Sequence, residues 1–292
     1  MGIIAISRGS YTKGKTIAEK LAQRVGYQCI SREVLLKASE DFSIPEENLL
    51  RAIEDAPSFL DRITRGKEKY ITFFRASLYN SLKLDNVVYH GFAYHFFLGD
   101  IPHVLKVRII TDLEDRLAMV MERDDLSRKG ALRFIENIDQ QRSKWGRKLY
   151  GIDVSDPNLY DLVLNTGRIT EEDATDVICR MAELPRFQTT SASKKAMEDL
   201  ALAAEVETHL FNVRPRVEVC IDNGFISLKT EAQVSQDSQL VNKIEEIMKM
   251  IPGVKGIKVV SSKDPDDRSV CIAEPGGAST EGGAPTFFTD LG

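Results

Sequence analysis

The sequence predicts an α/β fold: a parallel sheet flanked by helices, followed by a small α+β domain. Three observations predict it. Short apolar runs alternate with helical patterns through the first 184 residues. A glycine-containing turn joins the first run directly to the first helix. After Pro185 the order becomes helix, two strands, helix, strand, within some 70 residues.

Gly2-Ile3-Ile4-Ala5-Ile6 is a buried strand by its unbroken apolar run. The next helix shows apolar spacing at Ile17, Leu21 and Val25, and Gly26 stops it. Residues 33–84 are mostly helical in pattern, with Pro45 and Pro57 as breakers. Val87-Val88-Tyr89-His90 is a second strand and Val104 to Ile110 a third. One long helical stretch covers 112–149, Leu162 to Asn165 is a fourth strand, and 171–183 a further helix. Residues 185–194 are polar and read as a linker. A helix from about 194 to 210 opens the second domain, 195–260. Arg216 to Ile221 and Phe225 to Lys229 alternate as strands around the hairpin turn Asp222-Asn223-Gly224. A helix over about 237–250 stops at Pro252-Gly253, and Val254 to Val260 completes an αββαβ order. The tail, 261–292, is rich in Ser, Asp, Pro and Gly and reads as disordered.

Composition bounds the function. The 292 residues carry 39 Lys+Arg against 44 Asp+Glu, a formal charge of −5, which argues against a dedicated nucleic-acid binder. Cys29, Cys179, Cys220 and Cys271 form no CxxC pair, so neither a zinc site nor a disulfide framework is indicated. No run approaches a membrane span, and Met1 to Ser7 lacks the features of a signal peptide, so a cytoplasmic protein is expected.

Gly9-Ser10-Tyr11-Thr12-Lys13-Gly14-Lys15-Thr16 fits G-x-x-x-x-G-K-[ST], with a buried strand before it and a helix after it. The spacing has a chemical cause. Such a loop wraps a polyphosphate with its backbone N–H groups, and the helix N-terminus aims its dipole at the same anion. Lys15 would bridge the β- and γ-phosphates of ATP, and the Thr16 hydroxyl would hold Mg²⁺.

Around this loop the chain resembles the cytidylate kinase-like family of P-loop nucleoside monophosphate kinases. The resemblance is carried by Ile6-Ser7-Arg8, Ile17 to Ala22, Gly26-Tyr27, Ser31 to Leu35, Val87 to Gly91, Pro102 to Val107, Arg116, Asp139-Gln140-Gln141-Arg142 and Tyr160 to Thr166. It implies a helical insert for a monophosphate acceptor and an arginine-bearing lid. The lid stretch is 122–150, with eight basic residues against five acids. Arg123 and Arg142 are its catalytic candidates, and Arg32, Asp139 and Arg142 the acceptor-binding ones. Asp161 reads rather as a residue that orients the strand entering Leu162. Where cytidylate kinases usually carry Gly-Arg, this chain has Gly91-Phe92, and an aromatic cannot pair with a phosphate. His90 and His95 flank that gap, and either could partly replace the lost donor.

Residues 195–260 resemble a BON-type domain, through Val217-Glu218-Val219, Asn223 to Leu228 and Ile251-Pro252-Gly253-Val254-Lys255-Gly256-Ile257. That resemblance implies a binding or regulatory module whose ligand or protein partner is open. The leading expectation is ATP-dependent transfer to a nucleoside monophosphate, CMP or dCMP. The alternatives are a P-loop kinase for another small acceptor and a non-catalytic nucleotide-responsive regulator.

Overall fold

The computed structural model describes residues 2–8, 13–31, 33–45, 64–91, 97–98, 101–150, 152–211, 213, 218–230, 238–261 and 270–271. Five parallel strands form the first sheet: β1 (Ile3–Arg8), β2 (Gln28–Ile30), β3 (Val87–Gly91), β4 (Val104–Ile110) and β5 (Leu162–Asn165). Their order is β2-β3-β1-β4-β5, so β1 lies in the middle. The carboxyl end of β1 therefore stands at the centre of the sheet's carboxyl edge, where ligands of such sheets bind. Strand β2 was not expected. Gln28-Cys29-Ile30 is too short to show a pattern, and it forms because Asn86 accepts from Gln28 N at 2.9 Å and β3 offers a free edge.

A parallel sheet must cover both faces. On one face Ile4, Ile6, Val88 and Leu105 pack against α1 (Gly14–Val25) and α6 (Glu171–Ala182). On the other, Ile3, Ala5, Val87 and Tyr89 pack against α2 (Glu33–Phe42) and α3 (Thr64–Leu82). Alternation along β1 thus divides the core into two layers. The long helical stretch expected at 112–149 is two helices, α4 (Leu113–Asp124) and α5 (Arg128–Tyr150). Asp125 breaks it by adopting a left-handed conformation, φ 51°. The two helices fold back on a small core of their own: Leu117, Val120, Ala131 and Ile135.

The C-terminal part contains α7 (Ser191–Leu210), β6 (Glu218–Asp222), β7 (Phe225–Thr230), α8 (Ser238–Lys249), β8 (Gly256–Ser261) and β9 (Val270–Cys271). Its sheet order is β8-β7-β6-β9. Asn223 and Gly224 both have positive φ, 52° and 82°, and make the tight hairpin expected of them. Three expectations are corrected here. Residues 185–194 are not an open linker: Phe187 is buried against the first sheet, and Thr190 caps α7 in a reciprocal pair with Ser193. Within the tail, Val270 and Cys271 pair with β6; the rest of 262–292 lies outside the described residues. Cys220 is disulfide-bonded, and the register sets Cys271 opposite it, a pairing that sequence separation concealed.

Helix α3 is buried without a break from Ile71 to Tyr79, which leaves it no solvent face there. Helix α7 is its cover, and the same apolar cluster runs on through Val219, Ile226 and Leu228 to Ile244 and Met248 of α8. Arg75 of α3 and Glu207 of α7 make a buried ion pair across this contact. Among the described residues no helix is long and apolar enough to cross a membrane.

An ion pair buried this deeply is costly to break on one side. Arg75→Ala should destabilise the chain by about 3–5 kcal/mol in urea unfolding. The double variant Arg75→Met, Glu207→Leu should recover most of that loss; recovery of none would show that the pair matters for more than its charges.

Candidate functional site

Strand β1 ends at Arg8, and α1 begins at Gly14 after Lys13. Gly9, Ser10, Tyr11 and Thr12 lie outside the described residues. No side chain caps the start of α1, and its first turn holds no acid. An anion arriving there meets the helix dipole without a competing carboxylate. Lys15 is exposed and stands 3.7 Å from Glu19. Thr16, one residue on, is also exposed. An exposed hydroxyl beside a phosphate site fits Mg²⁺, which takes few protein ligands and completes its shell with phosphate oxygens and water. Among the described residues no group of three His, Cys, Asp or Glu side chains clusters as a metal cage.

Beside the end of β1 lies a cleft of about 310 Å³, walled by β1, β4 and α5. Arg8, Arg108, Arg116, Arg142 and Arg147 line it, with Asp139 and Asp153. Four of these guanidiniums are individually braced. Arg142 donates to the Arg8 carbonyl at 3.3 Å, which brings α5 onto the end of β1. Arg116 donates to Asp139 at 2.8 Å. Arg108 donates to the Val154 carbonyl and the Tyr160 hydroxyl, at 2.5 and 2.8 Å, and lies over the Tyr160 ring. Arg147 donates to Asp153 at 2.8 Å. Hydrogen bonds from Ser155, then from Arg147, hold the Asp153 carboxyl far below the usual range. Gly146 makes this wall possible: a Cβ there would sit 2.6 Å from Val154 Cγ1 and 3.0 Å from the Ile152 carbonyl.

The expected residues divide accordingly. Asp139 and Arg142 come together in the cleft. Arg123 does not line it; at the end of α4 it makes a two-pronged pair with Asp124. Arg32, Phe92 and His95 lie outside the described residues. Asp161 orients the entry to β5 as expected, accepting from Lys106 N at 2.8 Å. Arg8, Arg108 and Asp153 were missed. Arg108 carried a usable signal, because a charge inside the run Val104-Leu105-Lys106-Val107-Arg108-Ile109-Ile110 has no place in a purely structural central strand.

A second, open hollow of about 450 Å³ lies between Lys13 and the turn Thr166 to Glu172. At the carboxyl end of β3 stands His90, almost wholly buried. Burial, and then Arg8, push its imidazole down to about 4; Lys15 acts the same way, and Glu19 and Glu33 oppose them. Burial also works to raise Glu33, but hydrogen bonds from its own backbone and that of Ser31 outweigh it and hold the carboxyl low.

The family model described as the cytidylate kinase-like family matches residues 3–168, the part that contains both the loop and the cleft. The chain belongs to the cytidylate kinase-like family. It is 27% identical over 184 residues to a cytidylate kinase of Ignicoccus hospitalis, covering 62% of this chain and 99% of that one. To a cytidylate kinase of Methanopyrus kandleri it is 24% identical over 172 residues, covering 56% and 83%. Among solved structures, an uncharacterized protein from Eubacterium ventriosum overlaps 62% of this chain and 97% of its own, at 23% identity and a TM-score of 0.48. A shikimate kinase from Bacteroides thetaiotaomicron overlaps 63% and 99%, at 13% identity and a TM-score of 0.42. The family supports a nucleotide-binding kinase; the family match ends before α6 and α7 begin.

His90 gives the site a pH signature. Its folded pKa lies below the ordinary value of 6.5, so the unfolded chain binds the proton more readily between the two. Stability from this residue is complete above pH 6.5 and drains away as pH falls towards 4. The full effect is roughly 3 kcal/mol. His90→Leu should flatten that limb of the stability–pH curve; an unchanged slope would place the acid sensitivity elsewhere.

Proposed function

We propose that this protein transfers the γ-phosphoryl group of ATP to a nucleoside monophosphate, with CMP or dCMP as the acceptor. The observation that carries the reading is the five-arginine cleft beside the end of β1. Planar guanidiniums match phosphate oxygens in pairs, and two aspartates among them leave groups to accept from sugar or base. An oxygen of the acceptor phosphate attacks the γ-phosphorus, the bond to the β–γ bridging oxygen breaks, and ADP leaves with that electron pair. The products are ADP and a nucleoside diphosphate.

Gly9 to Thr16 would cradle the donor phosphates, and Lys15 would neutralise charge between the β- and γ-groups. Thr16 would hold Mg²⁺, which when bound supplies further charge neutralisation across the phosphates. Arg142, Asp139 and Arg32 would bind the acceptor, and Arg142 would attend the transition state. The hollow between Lys13 and Thr166 suits the donor nucleoside. Catalysis is then positioning and electrostatics, with no covalent intermediate. The C-terminal αββαβ unit we read as a BON-like binding or regulatory module, and the protein as cytoplasmic.

Phe92 favours a second reading, a P-loop kinase for another small acceptor, because it removes a phosphate donor from the acceptor side. The deciding measurement is ADP release from ATP·Mg²⁺ across ribo- and deoxyribonucleoside monophosphates. Turnover is expected with CMP or dCMP, and Lys15→Ala should cut it by about 100-fold or more while leaving the melting temperature in place. Silence across the whole panel in a protein that still binds ATP would move the assignment to another acceptor or to a nucleotide-responsive regulator.

A further inference from the structure

One tight turn, closed by Asp156 N on the Asp153 carbonyl at 2.9 Å, holds two guanidiniums at the cleft. The Asp153 carboxylate accepts from Arg147 of α5 at 2.8 Å, and the carbonyl of the next residue, Val154, accepts from Arg108 of β4 at 2.5 Å. Asp153 is itself fixed, its other oxygen accepting from the Ser155 backbone and hydroxyl at 2.9 and 2.6 Å. Arg108 is fixed as well, lying over the Tyr160 ring with Nη1 also on the Tyr160 hydroxyl. The turn does not need Arg108 to satisfy it, because the Tyr160 hydroxyl already donates to the Val154 carbonyl at 2.8 Å. Both guanidiniums keep unused donors. Among the described residues nothing accepts from Nε or Nη2 of Arg108, or from Nε or Nη1 of Arg147, although both side chains line the cleft. Five arginines against two aspartates leave the cleft with an excess of three positive charges, in a chain whose formal charge is −5. Like charges held on one turn repel each other, and an anion between them removes that cost.

We propose that Arg108 and Arg147 form a two-guanidinium site for the acceptor's phosphate, a phosphate monoester, with the turn at Asp153 as its positioning element. Arg108 offers the parallel N–H pair of its Nε–Nη2 edge, the fork that matches two oxygens of one phosphate, and Arg147 adds a donor beside it. Two oxygens held there leave the third free to attack. The proposal rests on the phosphoryl-transfer reading above, in which the loop takes the donor's phosphates, and its test separates the two.

The test is calorimetric titration of the full chain, saturated with ADP·Mg²⁺, with CMP and with cytidine. Wild type should bind CMP more tightly than the nucleoside that lacks the phosphate. Arg108→Met keeps an apolar stem against Tyr160 and removes the fork. Its Kd for CMP should rise about tenfold or more, the weight of one charge-assisted hydrogen bond, with the values for cytidine and for ADP·Mg²⁺ unchanged. Arg108→Lys keeps the charge without the fork and should recover only part of the loss. Arg147→Met should act like Arg108→Met, and it carries the test if that variant does not fold. A purely structural arginine would lower the melting temperature and leave the preference for CMP over cytidine as in wild type; that result overturns the proposal. Weaker binding of a non-hydrolysable ATP analogue, with CMP untouched, overturns it too, because the guanidiniums would then serve the donor. A wild type that binds no nucleoside monophosphate overturns the phosphoryl-transfer reading instead. Inorganic phosphate is then the probe: binding lost in Arg108→Met upholds the anion site, and binding unchanged overturns that as well.

Discussion

Helix α3 has to be enclosed, and much of the molecule is arranged to enclose it. Nine consecutive residues, Ile71 to Tyr79, are buried, including Thr72, Arg75 and Ser77. One side of the helix is met by the sheet and α2, the other by α7. Polar groups carried into that environment need partners. Arg75 finds Glu207, and the Tyr79 hydroxyl donates to the Phe97 carbonyl. Burial raises Tyr79 far above the ordinary phenol range, so it stays protonated and remains a donor at any physiological pH.

The cleft is built on the opposite economy, with charge concentrated at the carboxyl edge of the sheet rather than hidden. Five guanidiniums gather around 310 Å³, and four of them are held by partners within the fold. Carbonyls hold Arg108 and Arg142, while carboxylates hold Arg116 and Arg147. Donors fixed in this way need little reorganisation to meet an anionic group. Gly146 and Asp153 belong to this account although neither has to touch a substrate. The first lets the 152–154 segment approach α5, and the second anchors Arg147.

Four of the five strands of the first sheet were legible because each is a compact apolar run. Strand β2 was not, since three residues carry no period and its existence depends on the edge of β3. The break at Asp125 was missed because an aspartate in a left-handed conformation leaves no compositional trace. In the cleft, Asp139 and Arg142 were found through a local Asp-x-x-Arg spacing. Arg8 and Asp153 escaped because they come from distant segments joined only by the fold. Arg123 illustrates the converse: richness in arginine marks a stretch, while helix phase decides which arginines face inwards, and Arg123 turns to its neighbour Asp124. The disulfide at Cys220 was invisible for the same topological reason, since β9 returns to β6 from far along the chain.

Two boundaries can be drawn on this protein, and they do not coincide. The family model matches as far as residue 168, whereas the apolar cluster beneath β1 continues through α7 into Ile226, Leu228 and Met248. The α4–α5 hairpin, inside the recognisable part, is the more self-contained piece, with Leu117, Val120, Ala131 and Ile135 as its own centre. Excising the chain at its homology limit would therefore strip the outer wall from α3 and expose a greasy helix with an orphaned arginine. Exchanging the hairpin with that of a relative would cut far fewer apolar contacts. In modular terms, the natural unit of inheritance and the natural unit of cooperative folding are different objects here.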